Sequence, residues 1–249
     1  MRTLQIAVDE SFDDLRASTG AFALAGYAST PERWENFKEH WQVGCDKYLE
    51  GKPFKMSDLG SRPIDEREKI VEYFYNIIVE YAEFSFTFTI DQALHKEVFT
   101  DTRVLYWENI YYFLFYNTLF ELLRDKDFTK GASLQFFFDA GWESKIGDES
   151  VLDFMAKMPP QVTSRLVSKP EFMTDGQFSP IQAADMKAWF SRKRYKEIFQ
   201  GGEETPRLRT IREHLQMLPG RHKAFTRDEL IAFRDSLVKS NLLQPKQAG

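Results

Sequence analysis

The chain of 249 residues carries 33 basic against 38 acidic side chains, a net charge of −5, so no global positive field draws in polyanions and a nucleic-acid partner has to be held by local patches or metal ions. Its length suits one large domain or two small ones with a substantial core, and the lone Cys45 excludes an intramolecular disulfide framework. The opening residues lack the basic-then-apolar layout of a secretory signal, and the most apolar stretch, 104–120, is short and interrupted by Glu108, Asn109 and Asn117, so the expectation is a cytoplasmic protein without membrane contact.

In chain order, Thr3-Leu4-Gln5-Ile6-Ala7-Val8 alternates with period two, as a strand does, and ends in two carboxylates, Asp9 and Glu10. Open α/β sheets gather ligands beyond the carboxyl ends of their strands, which makes Asp9 the first candidate for chemistry; the plainer reading is a solvated turn. Ala21 to Ala28 reads as a second strand in a hairpin with the first. Thr30-Pro31-Glu32 opens a helix, with threonine as cap and proline in the first turn, whose stripe of Trp34, Phe37, Trp41 and Cys45 fits a core face better than a ligand platform. A loop over 52–60 holds Lys55 and Asp58, and an amphipathic helix follows over 64–82. Phe84 to Ile90 alternates almost without error and predicts the third strand. His95 reads as a surface histidine, since no second His or Cys stands at zinc-ligand spacing.

Asp101-Thr102 predicts the cap of a long helix reaching about Arg124, apolar almost all round and therefore wrapped by its neighbours or by a second subunit, which makes 104–120 a candidate homodimer surface. Leu134 to Phe138 is a buried strand that again ends in a carboxylate, Asp139. A further helix is expected from Trp142 to Lys157, stopped by Pro159-Pro160, then a short strand within 164–174 and a turn at Asp175-Gly176. Ser179-Pro180 opens a helix, with the serine as cap, on which Gln182 and Asp185 share a face beside the small Ala183 and Ala184. Arg192, Lys193, Arg194 and Lys196 are the densest basic cluster, for which a solvated helix end is a simpler reading than phosphate binding. Past Gly201-Gly202, two short helices are expected, over 205–218 and 226–240, and disorder from Gln244 onward.

Asp9, Asp139 and Asp185 stand out by position. If the first and fourth strands are parallel neighbours, Asp9 and Asp139 end side by side. Three converging carboxylates without a His or Cys cluster indicate Mg²⁺ or Mn²⁺ rather than zinc. Two such ions about 4 Å apart activate a water and stabilise the leaving oxygen of a phosphodiester.

The ordered set Val8-Asp9-Glu10-Ser11, Phe54-Lys55-Met56-Ser57-Asp58-Leu59, Tyr112-Phe113-Leu114-Phe115-Tyr116, Phe136-Phe137-Phe138-Asp139 and Pro180-Ile181-Gln182-Ala183-Ala184-Asp185-Met186-Lys187-Ala188-Trp189 resembles the bacterial family called domain of unknown function 3800, grouped with the ribonuclease H-like fold. The resemblance covers about residues 1–196. It implies an α/β protein with a mixed five-stranded sheet flanked by helices, and metal-binding acids at Asp9, Asp139 and Asp185 with Glu10 as a fourth. Added to this plan are helices inserted between strands two and three and a helical C-terminal extension over 201–249. Three departures stand out: Phe12 replaces a usual glycine, Ala140 replaces a frequent acid, and only Glu108 matches a helix-borne glutamate, leaving Glu10 or Asp58 to fill that part. The function so implied is a metal-dependent nuclease, with Gln182 orienting a ligand or metal-bound water and Lys55 supporting the phosphate. The alternative is a non-catalytic binding or assembly protein on the same scaffold. DNA and RNA stay equally open as substrates.

Overall fold

Six strands form one mixed sheet in this computed structural model, which describes residues 2–13, 20–100, 105–124, 131–143, 145, 156 and 160–239. Their order across the sheet is β5 (Glu171–Met173), β4 (Ser133–Asp139), β1 (Thr3–Phe12), β2 (Ala21–Ser29), β3 (Phe84–Asp91) and β6 (Gly220–Ala224). β2 runs against both of its neighbours, and every other pair is parallel. The predicted hairpin of strands one and two is present, and β2 is buried along its whole length. Gly26 lies in that strand because a Cβ there would collide with the Ala7 carbonyl oxygen and the Phe86 ring.

Each face of the sheet carries a helical layer, and the period-two alternation decides which side chains enter which layer. Ile6, Val8, Phe136 and Phe138 point into a core shared with α3 (Gln92–Phe99), α5 (Ile110–Arg124) and α9 (Arg227–Lys239). The opposite layer is built by α1 (Pro31–Leu49), α2 (Ile64–Tyr81), α7 (Pro180–Gln200) and α8 (Pro206–Met217). Thr30 caps α1 as expected, its hydroxyl accepting from the Arg33 backbone N–H. α7 crosses β1 and β2 closely because Ala184, fully buried, sits on Ala7.

Three expectations change. The sheet has six strands rather than five, the extra one coming from the segment past residue 200, which is therefore not all helical. Sequence periodicity is silent there because Gly220-Arg221-His222-Lys223-Ala224 forms an edge strand, largely exposed and charged as edges tend to be. The long aromatic helix is interrupted at Asn109 into α4 (Leu105–Glu108) and α5. The Asn109 carboxamide accepts from the Tyr111 N–H and donates to the Lys145 carbonyl, competing with the helical ladder. The rings of that helix are covered by this chain's own elements: Trp107 and Phe113 meet Phe233, and Phe113 meets Phe225, so their burial requires no second subunit. The short strand expected within 164–174 is present as β5, preceded by the short α6 (Pro160–Thr163). Most of the helix expected over 142–157, the Asp101-Thr102 cap and the tail from Gln244 lie outside the described residues.

His95 is the third change. It is buried rather than on the surface, packed against Phe99 and Phe113, and its Nε2 has no partner among the described residues. Burial pushes the imidazole from its ordinary 6.5 down to about 4, against a smaller opposing hydrogen bond to the Trp107 backbone. The folded chain thus holds His95 neutral while the unfolded chain protonates it below 6.5, so stability is full above that pH and is lost as pH falls toward 4. The expected contribution to acid unfolding is about 3 kcal/mol. It is checked by urea titrations between these pH values on wild type and His95→Gln, where equal slopes would contradict it.

Candidate active site

The ladder between β1 and β4 runs through Val8 opposite Phe138, and one residue further Asp9 stands alongside Asp139, where β4 ends while β1, expected to stop at these acids, continues along β2 to Phe12. Asp139 shares its face of the sheet with Phe137, which packs on Phe178 under α7. Asp9 shares that face with Ala7, which touches Ala184 and Ile181. Asp185 projects from α7 on the same side. The three acids predicted from separate parts of the chain are therefore on one face.

Glu10 is sent the other way. Period two turns it toward the opposite layer, where Oε2 accepts from the Trp142 indole N–H and Oε1 pairs with the Lys145 ammonium at 2.6 Å. Its carboxylate is taken up in that contact, although its charge still reaches Asp9 and Asp185.

The loop before α2 is fastened to α7 by two side chains. Gln182 Oε1 accepts from the Phe54 backbone N–H at 2.6 Å and from the Trp41 indole at 2.9 Å, while its Nε2 donates to the Asp175 carbonyl at 3.0 Å. Asp185 Oδ2 accepts from the Met56 N–H at 2.7 Å. Lys55 lies between these anchors and reaches Asp175, Nζ to Oδ2 2.9 Å. Gln182 is thus not presented to a ligand; it is buried and fastens the lysine loop to the strand-end turn. Ser179, expected as a side-chain cap, makes no capping bond, and its buried hydroxyl has no partner among the described residues.

Asp175 is the residue that pattern reading misses. It comes two residues after a three-residue strand and is itself the aspartate of the Asp175-Gly176 turn signal, with no periodicity to mark it as a site residue. Its second oxygen, Oδ1, is buried without a partner. Asp58 and Glu108, the other two candidates for a fourth acid, are exposed, Asp58 in a one-turn helix over 58–61 and Glu108 at the end of α4.

Electrostatics ties the group together. Desolvation, then the charges of Glu10, Asp185 and Asp139, hold the Asp9 carboxyl well above its ordinary range, with Lys55 opposing. Burial raises Asp185 to about 6, against its bond from Met56 and the charge of Lys55. Asp175 is raised by burial and by Asp139. Desolvation works against the Lys55 ammonium, yet Asp9, Asp175 and Asp185 keep its pKa above the usual lysine range, so it stays charged.

The donor set is all carboxylate, which in type fits a hard divalent cation, and Asp175 Oδ1 is a buried acceptor without a donor. The side chains stand too far apart to make a finished cage: among the described residues no group of three His, Cys, Asp or Glu is positioned to hold an ion. A cation here would have to draw the carboxylates together.

No family model matches the chain, and no curated protein matches it. Among solved structures it is similar to the ribonuclease H2 of Pyrococcus horikoshii OT3. The two share 11% identity, the match covers 86% of this chain and 99% of that one, and the TM-score is 0.41. That likeness is too distant to carry an argument about fold or activity. No helix among the described residues is long and apolar enough to cross a membrane.

Proposed function

We propose that the chain is a divalent-metal-dependent nuclease on a ribonuclease H-like scaffold, a member of the domain of unknown function 3800 family that hydrolyses phosphodiester bonds of nucleic acid. The carrying observation is Asp9: a carboxyl beside the end of β4 whose pKa is raised first by burial and then by three neighbouring acids, with one lysine opposing. Asp9, Glu10, Asp139, Asp175 and Asp185 bring five carboxyls to this region, whereas among the described residues Lys55 and Lys145 are the cations that face them, a charge imbalance that a divalent cation would relieve.

Asp9, Asp139 and Asp185 would hold the ion, Mg²⁺ or Mn²⁺, with Asp175 as a further oxygen donor. When bound, such ions supply activation of a water and charge stabilisation at the leaving oxygen. Lys55 stays protonated, held by Asp175 at the edge of the cluster, and its ammonium would meet a substrate phosphate oxygen there. Glu10 holds Lys145 and Trp142 in place behind Asp9 and shapes its charge from the far side.

A second reading, a non-catalytic binding protein on the same scaffold, is favoured by the absence of a ligand-spaced trio among the described residues and by Lys55 already pairing with Asp175. Calorimetry with Mn²⁺ separates the two. The nuclease takes up the ion and releases labelled single- or double-stranded DNA or RNA fragments with Mg²⁺ or Mn²⁺. No uptake and no cleavage across the panel would leave the binding protein.

A further inference from the structure

The basic cluster on α7 divides by partner. Arg192 and Lys196 both pair with Asp13, at 2.5 and 2.8 Å, and Lys193 lies over the Trp189 ring. Arg194 is different: it is exposed, bonds only the neutral Gln216 side chain, and has no carboxylate partner among the described residues. It borders a cavity of about 210 Å³ between α7, β3 and β6, which His222, Thr89, Ser191, Tyr195 and Phe199 also line.

The chemistry of this cavity is that of an anion site with an aromatic rim. Desolvation, then the positive charges of Lys187 and Arg194, lower the His222 pKa, so no negative group dominates its surroundings. Lys223 adds a second ammonium at the edge, shared with Glu229 at 3.5 Å. Burial and then the charge of Asp91 raise the pKa of the Tyr195 hydroxyl. Thr89, buried on the sheet, lines the same cavity and brings a neutral hydroxyl to it. At the rim, Ile198 and Phe199 are 60% and 62% exposed, an apolar pair where a solvated helix end would carry polar residues. The Phe199 ring is braced by Tyr195 at 4.5 Å and turns its remaining surface outward.

We propose that this cavity binds a nucleoside phosphate, with the phosphate held by Arg194, His222 and the Thr89 hydroxyl and the base laid against Phe199. A guanidinium, an imidazole N–H and a hydroxyl supply hydrogen bonds to phosphate oxygens, and a half-bare ring accepts any base by stacking. Arg194 follows Asp185 by nine residues on one helix, roughly 14 Å along the axis, so the cavity is separate from the carboxylate cluster and its binding does not depend on cleavage.

The test is calorimetry on the full chain with adenosine 5′-monophosphate, in EDTA so that the carboxylate cluster is silent, with imidazole NMR signals of the four histidines as a locator. The expected result is binding at least about tenfold tighter than that of adenosine or inorganic phosphate, a shift of the His222 signal, and about tenfold weakening in both Arg194→Gln and Phe199→Ala. Both substituted residues are exposed, so thermal melting should match wild type. A 5′-phosphorylated trinucleotide that binds tighter than the mononucleotide assigns a strand end as the source of the phosphate, and one that binds weaker assigns a free nucleotide. No binding of either, unchanged affinity in both variants, or inorganic phosphate binding as well as the mononucleotide overturns the proposal.

Discussion

In the Asp9→Asn variant, metal-dependent phosphodiester cleavage is expected to fall at least about 100-fold, while the folded chain becomes harder to unfold in mildly alkaline, metal-free buffer. Both halves follow from one carboxyl. Asp9 is buried among Glu10, Asp139 and Asp185, and desolvation together with their charges raises its pKa well above 3.8. A raised carboxyl adds stability below its unfolded pKa and loses it as pH climbs through the folded value, so ionised Asp9 strains the metal-free fold at neutral pH. Asparagine keeps the shape and removes the charge. The gain in melting temperature should grow as pH rises above about 4 and should vanish below it. Added Mn²⁺ should stabilise wild type and leave Asp9→Asn unmoved. Asp139→Asn and Asp185→Asn should lose cleavage as well. Retained cleavage in all three variants would remove the nuclease assignment, and an Asp9→Asn chain that melts earlier than wild type would show the carboxylate to be structural.

Gln182→Leu is expected to cost about 2–4 kcal/mol of stability in urea unfolding, an effect that a ligand-orienting residue would not show. The leucine leaves the Trp41 indole N–H and the Phe54 backbone N–H buried without an acceptor, and the Asp175 carbonyl loses its donor. Each orphaned group carries its own desolvation penalty. Because the same glutamine fastens the Lys55 loop to α7, that loop should also become the first site of limited proteolysis. Unchanged urea midpoints would return Gln182 to the ligand-facing part inferred from sequence.

Much of the scaffold was legible where a local rule is strong. The three central strands announce themselves by alternation, the hairpin follows from their proximity, and the Thr-Pro-Glu signal does open α1. The edge strand β6 was hidden because an exposed edge has no apolar face to betray it, and the aromatic helix looked continuous because its apolar run conceals what the Asn109 side chain does to the backbone. His95 looked exposed because it was read as following a short polar connection with no second ligand near it, whereas its neighbours in space are Phe99 and Phe113.

For the site, the sequence by itself determined that an acid follows each of two apolar strand runs and which helix carries a carboxylate beside small residues, since residue order and helical spacing are local properties, whereas the end of β1 was set by its pairing with β2. Only tertiary structure decided which of those groups meet. Glu10 was one residue too late in its strand to join Asp9, Gln182 was close enough to three buried polar groups to be consumed by them, and Asp175 entered through a turn that no periodicity marks. The reason is that a side chain's partners depend on the sheet face and the distance between elements, and neither is set until the strands have chosen their register and α7 has settled onto Ala7.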